Sequence, residues 1–167
     1  MPITAITTLS TSRICLNPAE GRCVDGILAG DYAPGTIVVN IAGVWTIADS
    51  GTVTHKLMKW GVVGYKKRVN QTTGAEKTIE TAWDTSEVED KRVPIWLSGF
   101  CIIALVDQAA SKEAGYGLMV SATAGSLTLQ DNAQIDMGSL AMDVISGDVF
   151  AIAAIGEFNG LRWGGYN

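Results

Sequence analysis

The feature that most constrains this chain is the length and punctuation of its apolar runs. They are short, rich in β-branched and aromatic residues, and separated by glycine-bearing turns. Residues 36–40 and 44–48 flank Ile41-Ala42-Gly43, a hairpin signal. Residues 60–65, 93–97, 100–106 and 149–155 continue the series, and 118–121 and 126–129 flank a turn over 122–125. Pro94 has no N–H to give a ladder, so its strand is expected at a sheet edge or to begin there. Strands this short, closed by glycine, predict a mainly β domain, a small β-barrel or β-sandwich. One short helix is predicted over 107–115, where Asp107 can cap the start, the alanines favour helix and Gly115 suits the stop. A further helical turn is read near 139–144.

The chain has 167 residues, enough for one domain to bury a core without covalent staples. Hydrophobic residues make up 47% and charged residues only 17%, which opposes disorder and fits a surface that lies partly against other proteins. A net charge of −5 disfavours nucleic acid and anionic lipid as partners. No apolar run approaches the ~18 residues of a membrane helix. The first residues show no basic segment followed by an apolar one, so a secretory leader is not expected. Three cysteines (Cys15, Cys23, Cys101) are too few and of the wrong parity for a disulfide scaffold, and with one histidine a structural zinc site is not expected. A reducing intracellular origin fits this usage.

Charge divides the chain. Residues 66–92 carry six basic and six acidic side chains, whereas 93–167 carry only Lys112 and Arg162 against seven acids. The middle segment reads as a polar insertion, a projecting loop or hairpin, with strand-like alternation over 78–83. The organisation read from the sequence is an N-terminal arm over 1–24 and a single β-rich domain over 25–167, with the insertion at 66–92.

The motifs of catalysis are missing. There is no phosphate-cradling loop with its lysine, no dinucleotide fingerprint and no nucleophile elbow. His55 reads as a polar strand or loop residue, since nothing beside it marks a nucleophile. Cys101 lies in an apolar run where nothing lowers its pKa, so it reads as a structural thiol. Glu87/Glu89 and Asp131/Asp136 read as solvated loop charges. No catalytic residue, cofactor or metal is expected. Asn70-Gln71-Thr72 matches a glycosylation pattern, discounted without a leader.

Binding signals are more informative. Of the five tryptophans, Trp45, Trp60 and Trp96 lie in strand-like runs and are expected in the core. Trp83, in the insertion, and Trp163, near the C-terminal end, are candidate interface anchors. Lys66, Lys67 and Arg68 are candidate rim contacts, with a simply solvated hairpin as the competing reading. Ile3, Thr4, Ile6 and Leu9 stand in an uncharged, strand-prone stretch. That stretch either adds a strand to another protein or forms the first strand of its own domain.

Residues 30–38 (Gly-Asp-Tyr-Ala-Pro-Gly-Thr-Ile-Val), 43–49 (Gly-Val-Trp-Thr-Ile-Ala-Asp) and 60–65 (Trp-Gly-Val-Val-Gly-Tyr) together resemble the small decoration, or cement, proteins of tailed-bacteriophage heads. Residues 93–99 and 115–125 are similar as well, so the likeness covers roughly 25–156, with a longer 66–92 segment than that family leads one to expect. The resemblance implies a β-rich, commonly trimeric protein that binds the outer face of an assembled capsid and stabilises it. It would make the major capsid protein and further copies of the chain its partners and the capsid exterior its location. It implies no catalytic residue. The alternative from another class is a small-ligand or glycan-binding β-barrel module.

Overall fold

The computed structural model describes residues 5–7, 14–50, 59–65, 67–69, 76–78, 92–107, 110–129 and 138–156, with 67–69 and 76–78 described as backbone. After a 3-10 turn at Pro18–Glu20 the described elements are strands: β1 (Arg22–Leu28), β2 (Ile37–Ile41), β3 (Val44–Ile47), β4 (Trp60–Val63), β5 (Lys67–Val69), β6 (Glu76–Thr78), β7 (Arg92–Leu105), β8 (Gly117–Val120), β9 (Leu127–Leu129), β10 (Gly138–Leu140) and β11 (Phe150–Ile155). The protein is mainly β, as its short glycine-punctuated runs predict.

Two sets of strands share β7. Its first half pairs with β4 on one side and β1 on the other; β1 meets β3, β3 meets β2 and β2 meets β4, closing a ring of five strands. Its second half pairs with β11, and the sheet continues through β10 and β8 to β9. β5 and β6 form a separate two-stranded sheet, with Arg68 opposite Lys77. This pairing lies earlier in the chain than the alternation over 78–83, of which only Thr78 belongs to the described residues.

Each strand of the ring contributes to a cluster inside it: Leu28, Val38, Trp45 and Val63, with Val93, Ile95 and Leu97 from β7. A second, larger cluster takes the opposite faces of β2 and β4, through Ile37, Val39, Trp60 and Val62, and packs them against the second sheet. Both faces are therefore covered over Ile37–Val39 of β2 and over β4, which is why these stretches are continuous apolar runs instead of alternating ones. A ring of five strands is narrow, and one large side chain, Trp45, occupies much of its interior. Two strands make room by carrying glycine: a Cβ at Gly26 would run into the Trp45 indole at Cδ1 and Nε1, and one at Gly61 into Ile95.

Several expectations give way to the structure. The runs at 93–97 and 100–106 form one 14-residue strand, with a bend at Gly99 (φ +155°) and Cys101 (φ +61°) where the register also shifts. Pro94 sits between β1 and β4 and not at an edge. Its carbonyl accepts Gly64 N–H (2.8 Å), just past the end of β4, so its missing N–H falls where β4 has stopped pairing.

No helix forms over the described part of 107–115. Lys112 and Val144 exchange both backbone hydrogen bonds (3.0 and 2.9 Å), Gly115 N–H goes to Leu140 and Ala114 N–H to Asp143 Oδ1 (2.8 Å). Tertiary partners have claimed the donors a helix would need. The turn read near 139–144 is instead the end of β10 followed by that bridge. The boundary placed at residue 24 falls inside β1, and upstream of it Ile14 and Cys15 are already core residues at 2% exposure.

Candidate protein-binding surface

The described part of the N-terminal stretch is seated on its own domain. Asp148, only 7% exposed, accepts Ile6 N–H at Oδ1 and Ile145 N–H at Oδ2 (2.7 Å). The Ile6 carbonyl in turn accepts Val149 N–H (2.9 Å) and Phe150 N–H (3.2 Å). Residues 5–7 thus lie across the start of β11, leaving the Ile6 and Val149 side chains exposed. Asp148→Ala removes both acceptors. It is expected to cost about 1–3 kcal/mol and to free the Ile6 amide, read as lost hydrogen-exchange protection in a protein that still melts cooperatively.

Ile3, Thr4, Leu9, Lys66, Trp83 and Trp163 lie outside the described residues. Lys67 and Arg68 stand in β5, opposite Thr78 and Lys77. Among the described residues, therefore, the structure does not bring the predicted site residues together. Trp45 and Trp60 are buried and Trp96 packs against the core, as their strand-like runs predict.

Sequence reasoning passed over a second exposed apolar pair. Phe100 is 52% exposed at the bend of β7, and Leu16, whose N–H binds the Cys101 carbonyl (3.0 Å), is 43% exposed. Inside the run 100–106 Phe100 reads as core. The left-handed backbone at Cys101 breaks the alternation there, and no residue in the run signals it. The three cysteines are free thiols. Burial pushes the Cys15 thiol above its usual range. Burial, with the Asp25 carboxylate nearby, pushes Cys23 up to about 11. Both are protonated at neutral pH and are poor nucleophiles.

Asp107, expected as a helix cap, instead ties down the β8–β9 turn. Its Oδ2 accepts the hydroxyls of Thr123 (2.5 Å) and Ser121 (3.0 Å), and these two bonds hold its carboxyl below the usual range. A depressed folded-state pKa stabilises above the unfolded value and loses that contribution as pH falls through the folded one. The turn over 121–126 is expected to loosen below about pH 4. Asp107→Asn should remove that dependence, checked by melts between roughly pH 3 and pH 6.

One opening pierces the ring wall. β3 pairs with β1 only at Ile27 and Leu28, so the start of β1 stands apart from the β2–β3 hairpin. The gap, about 380 Å3, has Val24, Trp45 and Leu97 among its lining residues, with Asp25, Lys59 and Arg92 also bordering it. No helix among the described residues is long and apolar enough to cross a membrane. No protein-family model matches the chain, and no characterised protein matches it.

Proposed function

We propose that this chain is a non-enzymatic structural protein of a phage virion that binds the outer surface of the assembled capsid and stabilises it, as a homotrimer. One observation carries the reading. The three segments that resemble capsid decoration proteins, 30–38, 43–49 and 60–65, fall on β2, β3, β4 and the turns around them. They thus belong to one continuous patch of the ring wall, β3-β2-β4. Exposed apolar side chains at Ile6, Leu16, Phe100, Met142 and Val149 supply surface for capsid or neighbouring copies to cover.

In this proposal the major capsid protein is the partner, Trp83 and Trp163 serve as aromatic anchors, and Lys66, Lys67 and Arg68 serve as rim contacts. The alternative, a glycan-binding module, needs an aromatic face open to a sugar ring. Trp45, the aromatic residue lining the ring opening, is only 4% exposed. The test is the endurance of the heads. Emptied heads of the phage that encodes the chain, stripped of it, should burst at lower temperature and regain their resistance when the pure protein is added back. Heads that melt identically with and without it would refute the stabilising role.

A further inference from the structure

The seat of residues 5–7 recognises backbone and not side chains. Ile6 is held by its N–H, which Asp148 accepts, and by its carbonyl, which accepts Val149 and Phe150 N–H. No side chain of residues 5–7 is buried. The carboxylate is the demanding partner. Asp148 is 7% exposed and its other oxygen serves Ile145 N–H, so an empty seat leaves a buried acceptor short of a donor. Residues 5–7 of a second copy would fill it with identical bonds.

Two observations favour the second copy once copies stand side by side. The first is covalent reach. The Ile14 carbonyl accepts Ile103 N–H on the side of β7 away from β11, whereas Ile6 takes the Phe150 N–H on the far side of β11. With strands ~4.8 Å apart, the two residues are on the order of 15 Å apart, and an extended chain from 6 to 14 spans ~27 Å. The link is longer than its own seat requires. The second is apolar surface at the seat itself. The neighbouring residues Ile6 and Val149 are 39% and 40% exposed, and residues 1–12 carry no charged side chain to oppose contact with a copy of net charge −5. An arm seated on its own chain leaves that pair in water, whereas an arm from a neighbour brings the neighbour alongside to cover it.

We propose that neighbouring copies exchange arms: residues 5–7 of each copy occupy the Asp148 seat of the next, and Ile6 and Val149 lie in the contact. A head-to-tail contact of this kind repeats around a closed ring, as a trimer requires. The inference deepens the homotrimer of the proposed function and rests on it to bring the copies together. A free chain keeps its own arm, because the tether holds it at high effective concentration.

The test places one cysteine on each side of the seat. Ile6→Cys and Val149→Cys are made in separate chains, each with Cys23→Ser to remove the exposed native thiol. An equimolar mixture is added to stripped heads and treated with oxidised glutathione. A disulfide joining 6 to 149 is expected by peptide mass, and it must link two chains because each variant lacks the other's cysteine. Asp148→Ala should cut the yield severalfold when it stands in the Val149→Cys chain, which supplies the seat, and not when it stands in the Ile6→Cys chain, which supplies the arm. The double variant, dilute and free, should cross-link within one chain; failure there would overturn the seat itself. The exchange is overturned if heads take up the mixture and no 6–149 link forms between chains. Heads that take up neither variant would refute the capsid reading separately. The mixture without heads, at about the millimolar concentration that competes with a tether, then decides. A 6–149 link between chains supports exchange, and its absence overturns it.

Discussion

Trp45→Ala is expected to lower the stability of the protein by about 3–5 kcal/mol, a large part of what a domain of this size possesses. The reason is the narrowness of the ring. Trp45 is 4% exposed, lies among side chains from the other four strands, and is accommodated by glycines on two of them. The melting temperature should drop by roughly 6–20 °C. Gly26→Leu on its own should also destabilise, by about 1–3 kcal/mol, since its side chain would collide with the indole. The two changes together should cost less than their sum, because the new leucine occupies the vacated volume. Strict additivity in denaturant unfolding would contradict the packing described for the ring.

Deleting residues 1–12 is expected to separate folding from attachment. The deletion removes the Ile6 contacts with Asp148, Val149 and Phe150 but keeps Ile14 and Cys15, which belong to the main core. The truncated protein should therefore fold and melt only a few degrees lower, a loss of about 1–2 kcal/mol. In the proposed function it no longer binds heads, because the exposed apolar Ile6 and the rest of the strand-prone stretch are gone. A truncated protein that is unfolded would assign the stretch to the core of the domain. One that binds heads with full affinity would remove it from the attachment surface.

The sequence is most readable where local pattern and tertiary fate agree. β2 and β3 are legible as a hairpin because both runs are β-branched and the turn is Ala42-Gly43. Both turn residues adopt positive φ (+51° and +90°), as a two-residue connection between twisted strands requires. It is least readable where the decisive partner is remote. Nothing in residues 22–28 announces that they pair parallel to β3 and close a ring, so from the sequence 22–24 read as the end of an arm. β10 is Gly138-Ser139-Leu140, too short and too polar to show a period, and it is a strand because β8 and β11 flank it. The helix formers after Asp107 lose to the paired backbone of Lys112 and Val144. Of the surface, the seat of Ile6 on Asp148, the exposure of Phe100 and the opening beside β1 exist only once the chain is folded.

Equilibrium binding to intact heads tests the proposed attachment to the outside of an assembled head most directly. Purified protein titrated onto stripped heads should saturate at a fixed number of copies per capsid-protein subunit. A reconstruction of the saturated heads should then show it as trimers on the outer face, with no comparable binding to unassembled capsid protein. Heads that take up no protein, or that hold it only in their interior, would contradict the account.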